Sequence, residues 1–227
     1  MQSFQEIFDR AAERKGGAKA LEALLETQGA VPKSSSELAA IPDDRWLSEM
    51  SRRVFQAGFN WKVIDNKWPG FEEVFEGFQP TRWALMSDED LDRLLRDTRI
   101  VRHAKKILSV RDNAVFMTDM AKDYGTAAKA FADWPAEDYV GLLTLLKKRA
   151  SRLGGTTAQY FLRGMGKESF VLSRDVTAAL IHAGVIDKAP SSQKAMAAVQ
   201  EAFTLWRQES GRSLTAISRV LAMSIDG

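Results

Sequence analysis

An all-α fold is predicted by three features of the chain. Apolar residues recur at three- and four-residue steps almost throughout, helix start and stop signals bracket those runs, and no segment shows the alternation of a half-buried strand. About ten helices are expected. With 227 residues, 45% of them hydrophobic, the chain can bury a core in one or two lobes without crosslinks.

Taken in order, an N-terminal helical pair is expected first, with Gly16 at a helix end and a short Pro/Ser connection, 32–36, closing it. Ser34 with Glu37 and Ser87 with Asp90 have the spacing of capping boxes, in which a hydroxyl and a carboxylate three residues on satisfy two otherwise orphaned backbone donors. Ile107, Val110, Ala114 and Met117 form one helical stripe, and Tyr139, Leu142, Leu143 and Leu146 form another, for which Pro135 suits the first turn. Gly184 suits a further helix end. A second Pro/Ser linker, 188–192, sets off two last helices, marked by Met196, Val199, Phe203 and Trp206 and then by Leu214, Ile217, Val220 and Leu221. The two chain ends are expected to pack as one lobe, 1–81 with 185–227, leaving 82–184 as the other.

Composition removes several function classes. Cysteine is absent and the only histidines are His103 and His182, so neither a metal site, nor a disulfide framework, nor redox chemistry, nor a cofactor is expected. Charges run throughout residues 1–14, and no apolar run approaches the roughly 20 residues that cross a bilayer. No membrane partner and a cytoplasmic location are therefore expected. No Gly-x-Ser-x-Gly elbow and no Walker-type phosphate loop is present, which sets aside serine hydrolase and nucleotide hydrolase readings. The formal charge of +2 decides nothing by itself, but its distribution is uneven. Arg99, Arg102, Lys105, Lys106 and Arg111 form one basic stretch, Lys147, Lys148, Arg149 and Arg152 another, and acidic residues gather at 87–97 and 133–138.

The second basic stretch belongs to the first informative motif, Lys147-Lys148-Arg149-Ala150-Ser151-Arg152-Leu153-Gly154-Gly155-Thr156-Thr157-Ala158. A basic helix end, a glycine turn and a new helix opening on hydroxyl residues is hairpin chemistry. Glycine permits positive φ and close approach of a ligand, and the amides of the next helix can hold a phosphate. Lys148, Arg152, Gly154, Gly155, Thr156 and Thr157, with Lys105 from the other stretch, are the residues expected on DNA. A plain helix-helix turn with a solvated basic rim uses the same residue types. The second motif is Ser173-Arg174-Asp175-Val176-Thr177-Ala178-Ala179-Leu180, which puts a carboxylate at the start of a helix some twenty residues past the glycines. Such an anion can stabilise an oxocarbenium-like sugar or activate water; it can also simply cap its helix.

A hairpin, a following helix, a short loop and an Asp at this spacing resemble the helix-hairpin-helix DNA glycosylases. That resemblance implies a two-lobed all-helical fold, a damaged base extruded from double-stranded DNA into a cleft, and Asp175 as the catalytic carboxylate. Bifunctional members carry a catalytic Lys just after the hairpin glycines, where the resemblance puts Thr156, so a monofunctional enzyme is implied. Upstream, Phe55-Gln56-Ala57-Gly58-Phe59-Asn60-Trp61 and Phe71-Glu72-Glu73-Val74-Phe75-Glu76-Gly77-Phe78-Gln79-Pro80 are similar to the type I 3-methyladenine DNA glycosylases. The similarity continues in order through 92–95, 100–107, Asn113-Ala114, Gly125, Phe131, Trp134 and Gly155-Thr156-Thr157. On this resemblance Trp61, Trp68, Phe59 and Phe55 would supply aromatic faces for the extruded base. Residue types alone make the same aromatics core.

The sequence departs from that family at three points. The family joins its ends through a zinc bound by Cys and His, and this chain has no Cys. It places a Glu eight residues before the tryptophan that ends the Gln-Ala-Gly segment, where this chain has Arg53. Its usual members do not depend on an Asp at the place of Asp175. Arg53 can read a base edge, hold a phosphate, or pair with Glu49 or Asp43. His103 falls in the basic, exposed stretch, and His182 late in a helix is structural. The expectation is a monomeric glycosylase acting on an alkylated purine. Its rivals are a non-catalytic glycosylase-like module that binds damaged DNA and a helical protein-interaction scaffold.

Overall fold

The computed structural model describes residues 1–29 and 31–225. Among them it contains fourteen α-helices and no strand: α1 (Phe4–Arg14), α2 (Ala18–Thr27), α3 (Ser35–Ala39), α4 (Asp43–Gln56), α5 (Trp61–Val74), α6 (Pro80–Trp83), α7 (Asp88–Arg96), α8 (Ala104–Tyr124), α9 (Ala127–Asp133), α10 (Tyr139–Arg149), α11 (Thr156–Met165), α12 (Arg174–His182), α13 (Gln193–Ser210) and α14 (Leu214–Met223). The all-α prediction holds. The excess over ten comes from short helices such as α3, α6 and α9, each of seven residues or fewer and too brief to show a repeated apolar stripe.

Local chemistry sets the boundaries. Both expected capping boxes form, Ser34 with Glu37 at α3 and Ser87 with Asp90 at α7, and a third joins Ser3 with Glu6 at α1. Ser173, Ser192 and Ser213 cap α12, α13 and α14 through their hydroxyls. Pro135 departs from expectation. Its ψ of 143° is extended, and it precedes a 3-10 turn, Ala136–Asp138, that leads into α10.

The chain separates into two compact units: 1–33, 135–141 and 166–227 in one, 34–134 and 142–165 in the other. The two chain ends fall in one unit. The expected boundaries at 81 and 185 do not hold. Residues 34–81 go with the hairpin unit because α4 packs on both α8 and α11, and residues 166–184 go with the terminal unit because α12 packs on α14.

In the terminal unit, α1 lies against α13 and α14. Phe170 stacks on Phe203 at 4.3 Å between ring centres, and Tyr139 and Trp206 meet these two rings edge-on. Trp206 and Leu221 are fully buried, and the Trp206 indole N–H donates to the carbonyl of Gln2 at 3.1 Å. Arg219 donates to the carbonyls of Leu24 and Leu25, satisfying acceptors in the last turn of α2. The N- and C-terminal helices are thus joined by apolar packing and by side chains that bond the backbone.

The hairpin unit has two aromatic clusters. Trp46, Phe131 and Phe161 meet with centroids 5.0 to 5.9 Å apart, joining α4, α9 and α11. Trp68, Phe71, Phe75 and Phe78 form a stack that continues edge-on into Trp83. Between the last two phenylalanines of that stack the backbone turns left-handed at Glu76, Gly77 and Phe78. Arg45 closes this turn by donating to the carbonyl of Gly77 at 2.7 Å. The Phe-rich motif of residues 71–80 is accordingly a device of the core. Among the described residues Asp43 pairs with no arginine; its carboxylate accepts from the amides of Ala127 and Ala128 at 3.0 and 2.8 Å, at the positive end of α9.

Candidate nucleic-acid interface

The hairpin is built from α10, the turn 150–155 and α11. Arg152 and Gly155 take left-handed φ values of 62° and 56°, and a Cβ at Gly154 or Gly155 would meet nothing, so the outer side of the turn is open. Lys147, Lys148, Arg149, Arg152, Gly154, Gly155 and Thr156 are all exposed, Thr157 is half-buried, and Lys105 is exposed on α8 of the same unit. Every residue expected on DNA therefore lies at the surface or near it. Arg149 also lies over the ring of Phe116 at 5.5 Å.

The turn is fastened from below by a residue that the sequence reading passed over except as a family match. Asn113, fully buried on α8, accepts from the amide of Ser151 at 2.7 Å and donates to its carbonyl at 3.2 Å. Asn113→Ala should leave both backbone groups of Ser151 unmatched, costing about 1–3 kcal/mol. Urea denaturation should register that loss and duplex affinity should fall with it. A variant as stable and as tight-binding as wild type would show that the hairpin holds its own shape.

Lys106, placed by sequence in the basic stretch, does not reach solvent. It is 3% exposed, donates to the carbonyls of Phe55 and Ala57 at 3.0 and 2.6 Å, and lies 4.3 Å from the centre of the Phe59 ring. Burial, reinforced by the nearby charge of Arg152, lowers its amine to about 8. It fixes the segment between α4 and α5. His103 corrects another expectation: it is half-buried, its ring edge-on to Phe59 at 6.3 Å, and its Nδ1 atom is buried without a partner. His182 ends α12 and is exposed.

The four aromatic candidates divide in two. Phe55 is fully buried against Phe71, and Trp68 is 8% exposed in the aromatic stack. The Trp68 indole N–H is taken up by Glu72 at 3.1 Å and Ser48 at 3.3 Å. Both are core, contrary to the expectation that they offer faces to a base, because α4 and α5 turn these side chains toward each other. Phe59 and Trp61, from the turn and the first position of α5, are 41% and 43% exposed. Asn60 between them caps α5, accepting from the amide of Lys62 at 3.0 Å. Trp61 meets the ring of Tyr160 on α11 edge-on at 5.1 Å.

Arg53 stands beside this exposed pair of aromatics. Its guanidinium is 5.6 Å from the Trp61 ring centre, donates through Nε to Glu49 at 2.6 Å, and through Nη1 to Gln56 at 3.0 Å. Of the partners considered from sequence, Glu49 is the one observed. Gln56 donates onward to Asp65 at 2.7 Å, and Asp65 also takes Arg52. Burial raises the Glu49 carboxyl above its usual range even though Arg53 and Arg52 act to lower it. So although Arg53 occupies the place where a carboxylate was sought, a carboxylate one helical turn earlier lies against it. Glu49 entered the sequence reading only as a partner for Arg53, while Tyr160 and Gly164 did not enter it; the four-residue spacing of Glu49 and Arg53 on one helix face was the available signal.

Asp175 belongs to the terminal unit, in the first turn of α12. It does not cap that helix. Ser173 does, its hydroxyl accepting from the amide of Val176 at 3.2 Å, and no described residue donates a hydrogen bond to the half-buried Asp175 carboxylate.

Residues 40–141 match the sequence model of the methyladenine glycosylases. Through this segment the chain is similar to the methyladenine glycosylase family. DNA-3-methyladenine glycosylase 1 of Escherichia coli K12 is 28% identical over 49% of this chain and 70% of that protein. DNA-3-methyladenine glycosylase of Haemophilus influenzae is 30% identical over 30% of this chain and 36% of its own. The fold is that of 3-methyladenine DNA glycosylase I from Staphylococcus aureus, with a TM-score of 0.51 at 21% identity over 64% of this chain and 85% of that one. The family segment holds Glu49, Arg53, Phe59 and Trp61. The glycine turn of the hairpin and Asp175 lie beyond it.

Proposed function

We propose that this protein is a monofunctional DNA repair glycosylase that hydrolyses the N-glycosidic bond of an alkylated purine in duplex DNA, with 3-methyladenine as the first substrate to test. The observation that carries the reading is the family segment itself, which presents Phe59 and Trp61 at the surface beside a charged pair embedded in α4. An extruded base is held by stacking on such faces and by hydrogen bonds to its edge. The open, basic hairpin of the same unit supports a role in gripping the phosphate backbone around the lesion. The protein acts as a monomer in the cytoplasm; no helix among the described residues is long and apolar enough to cross a membrane.

As the base departs with the electron pair of its bond to C1′, positive charge develops on the sugar, and water supplies the oxygen that completes hydrolysis. In this reading Asp175 stabilises that charge or takes the proton of the attacking water. Its carboxylate, not engaged as a cap, is available for either task. Thr156, at the place of the bifunctional enzymes' lysine, offers no amine for a covalent intermediate, so strand cleavage does not follow base loss.

The test is base release from methylated genomic DNA, identified by mass spectrometry under single-turnover conditions. Release of 3-methyladenine or another methylpurine is expected. Salt-sensitive duplex binding with no base released would instead mean a damage-binding module, a reading that Arg53 at the family's carboxylate position favours.

A further inference from the structure

Glu49 is an embedded carboxylate paired with Arg53 beside Trp61, and the hydrolysis described above does not use it. We propose that Glu49 reads the extruded base, accepting a hydrogen bond from a base N–H while Arg53 donates to the neighbouring acceptor; the inference rests on the glycosylase reading. Both residues lie on α4 one turn apart, with side chains only 15% and 19% exposed. An ion pair so far withdrawn from water is weak support for a fold, since desolvation offsets most of its attraction and an apolar pair of similar volume would pack as well.

The surroundings are shaped to keep it. Gly164 of α11 faces the pair: a Cβ there would collide with Glu49 Oε1 and lie 2.8 Å from Arg53 Nη2. The helix thus omits a side chain where the two charged groups pass. The chain of bonds from Arg53 through Gln56 and Asp65 to Arg52 fixes the guanidinium from its other side. Preorganisation of this kind suits recognition, because no rotamer has to be frozen when the ligand arrives. Among the described residues only one oxygen of Glu49 is engaged, and Arg53 Nη2 likewise donates to no partner. The pair therefore carries an unengaged acceptor and an unengaged donor, with the guanidinium 5.6 Å from the centre of the Trp61 ring, which Tyr160 meets edge-on. A purine edge with an exocyclic amine beside a ring nitrogen has the complementary pattern.

The experiment uses the full chain and two probes, free 3-methyladenine and methylated DNA. Glu49→Gln is expected to weaken binding of the free base and to slow its single-turnover release about 10- to 100-fold, as when a hydrogen bond to a charged group is lost, with duplex affinity within about twofold of wild type. Glu49→Asp, which keeps the carboxylate, should recover part of both losses; a purely structural pair would give no such recovery of base affinity at equal thermal stability. Gly164→Ala, which leaves both charged residues but crowds them, should weaken free-base binding too and serves if Glu49→Gln does not fold. A folded Glu49→Gln or Gly164→Ala protein that binds and releases 3-methyladenine like wild type overturns the inference and leaves the glycosylase reading intact. A wild-type protein that neither binds nor releases any methylpurine overturns both.

Discussion

Asp175→Asn should lower single-turnover base release by about 100-fold or more while duplex affinity stays within about twofold. The rate effect follows from removing one carboxylate where positive charge develops, an interaction commonly worth about 3 kcal/mol, which is about two powers of ten in rate. The binding effect is small because an anion is not a phosphate contact, and replacing it by a neutral amide of the same shape only removes a weak repulsion. Asp175 sits in the first turn of α12. Ser173→Ala separates this role from helix stability: losing the cap should cost about 1 kcal/mol and leave the chemical step alone. An Asp175→Asn enzyme with unchanged single-turnover rates would remove Asp175 from the mechanism, whatever its effect on folding.

Salt should control binding even more steeply. Lys105, Lys147, Lys148, Arg149 and Arg152 are exposed cations of one unit. If all five neutralise phosphates, the logarithm of affinity should fall with a slope of about −4.5 against the logarithm of salt, a loss of about 500-fold between 50 and 200 mM. Lys148→Ala combined with Arg152→Ala should flatten that slope by about 1.8 and weaken all duplexes alike, since phosphate contacts carry no sequence or lesion information. Fluorescence anisotropy on an undamaged duplex at several salt concentrations measures both quantities. A slope near zero would favour a protein-interaction scaffold, and a slope unaltered in the double variant would move the DNA track away from the hairpin. Arg99 serves as a control, because its guanidinium is already engaged by Asp97 and Glu73.

The sequence by itself determined the all-helical class, the capping boxes at Ser34 and Ser87 and the glycine turn at 154–155. These features rest on residues within a turn or two of one another, or on a stripe that repeats along one helix, so the chemistry that fixes them is adjacent in the chain. What could not be read there was which of several like residues faces water. Phe55, Phe59, Trp61 and Trp68 are equivalent as residue types, yet two are core and two are exposed, because α4 and α5 close on one another and Lys106 of α8, about fifty residues away, holds the connecting segment. Lys106 read as a surface cation for the same reason, until the carbonyls of Phe55 and Ala57 enclosed its amine. The boundary between units escaped likewise, since α4 joins α8 and α11 by contacts distant in sequence. Tertiary structure alone chose Glu49 over Asp43 as the partner of Arg53 and enclosed the pair under Gly164, because desolvation of a charged group depends on every element packed around it and not on the helix that carries it.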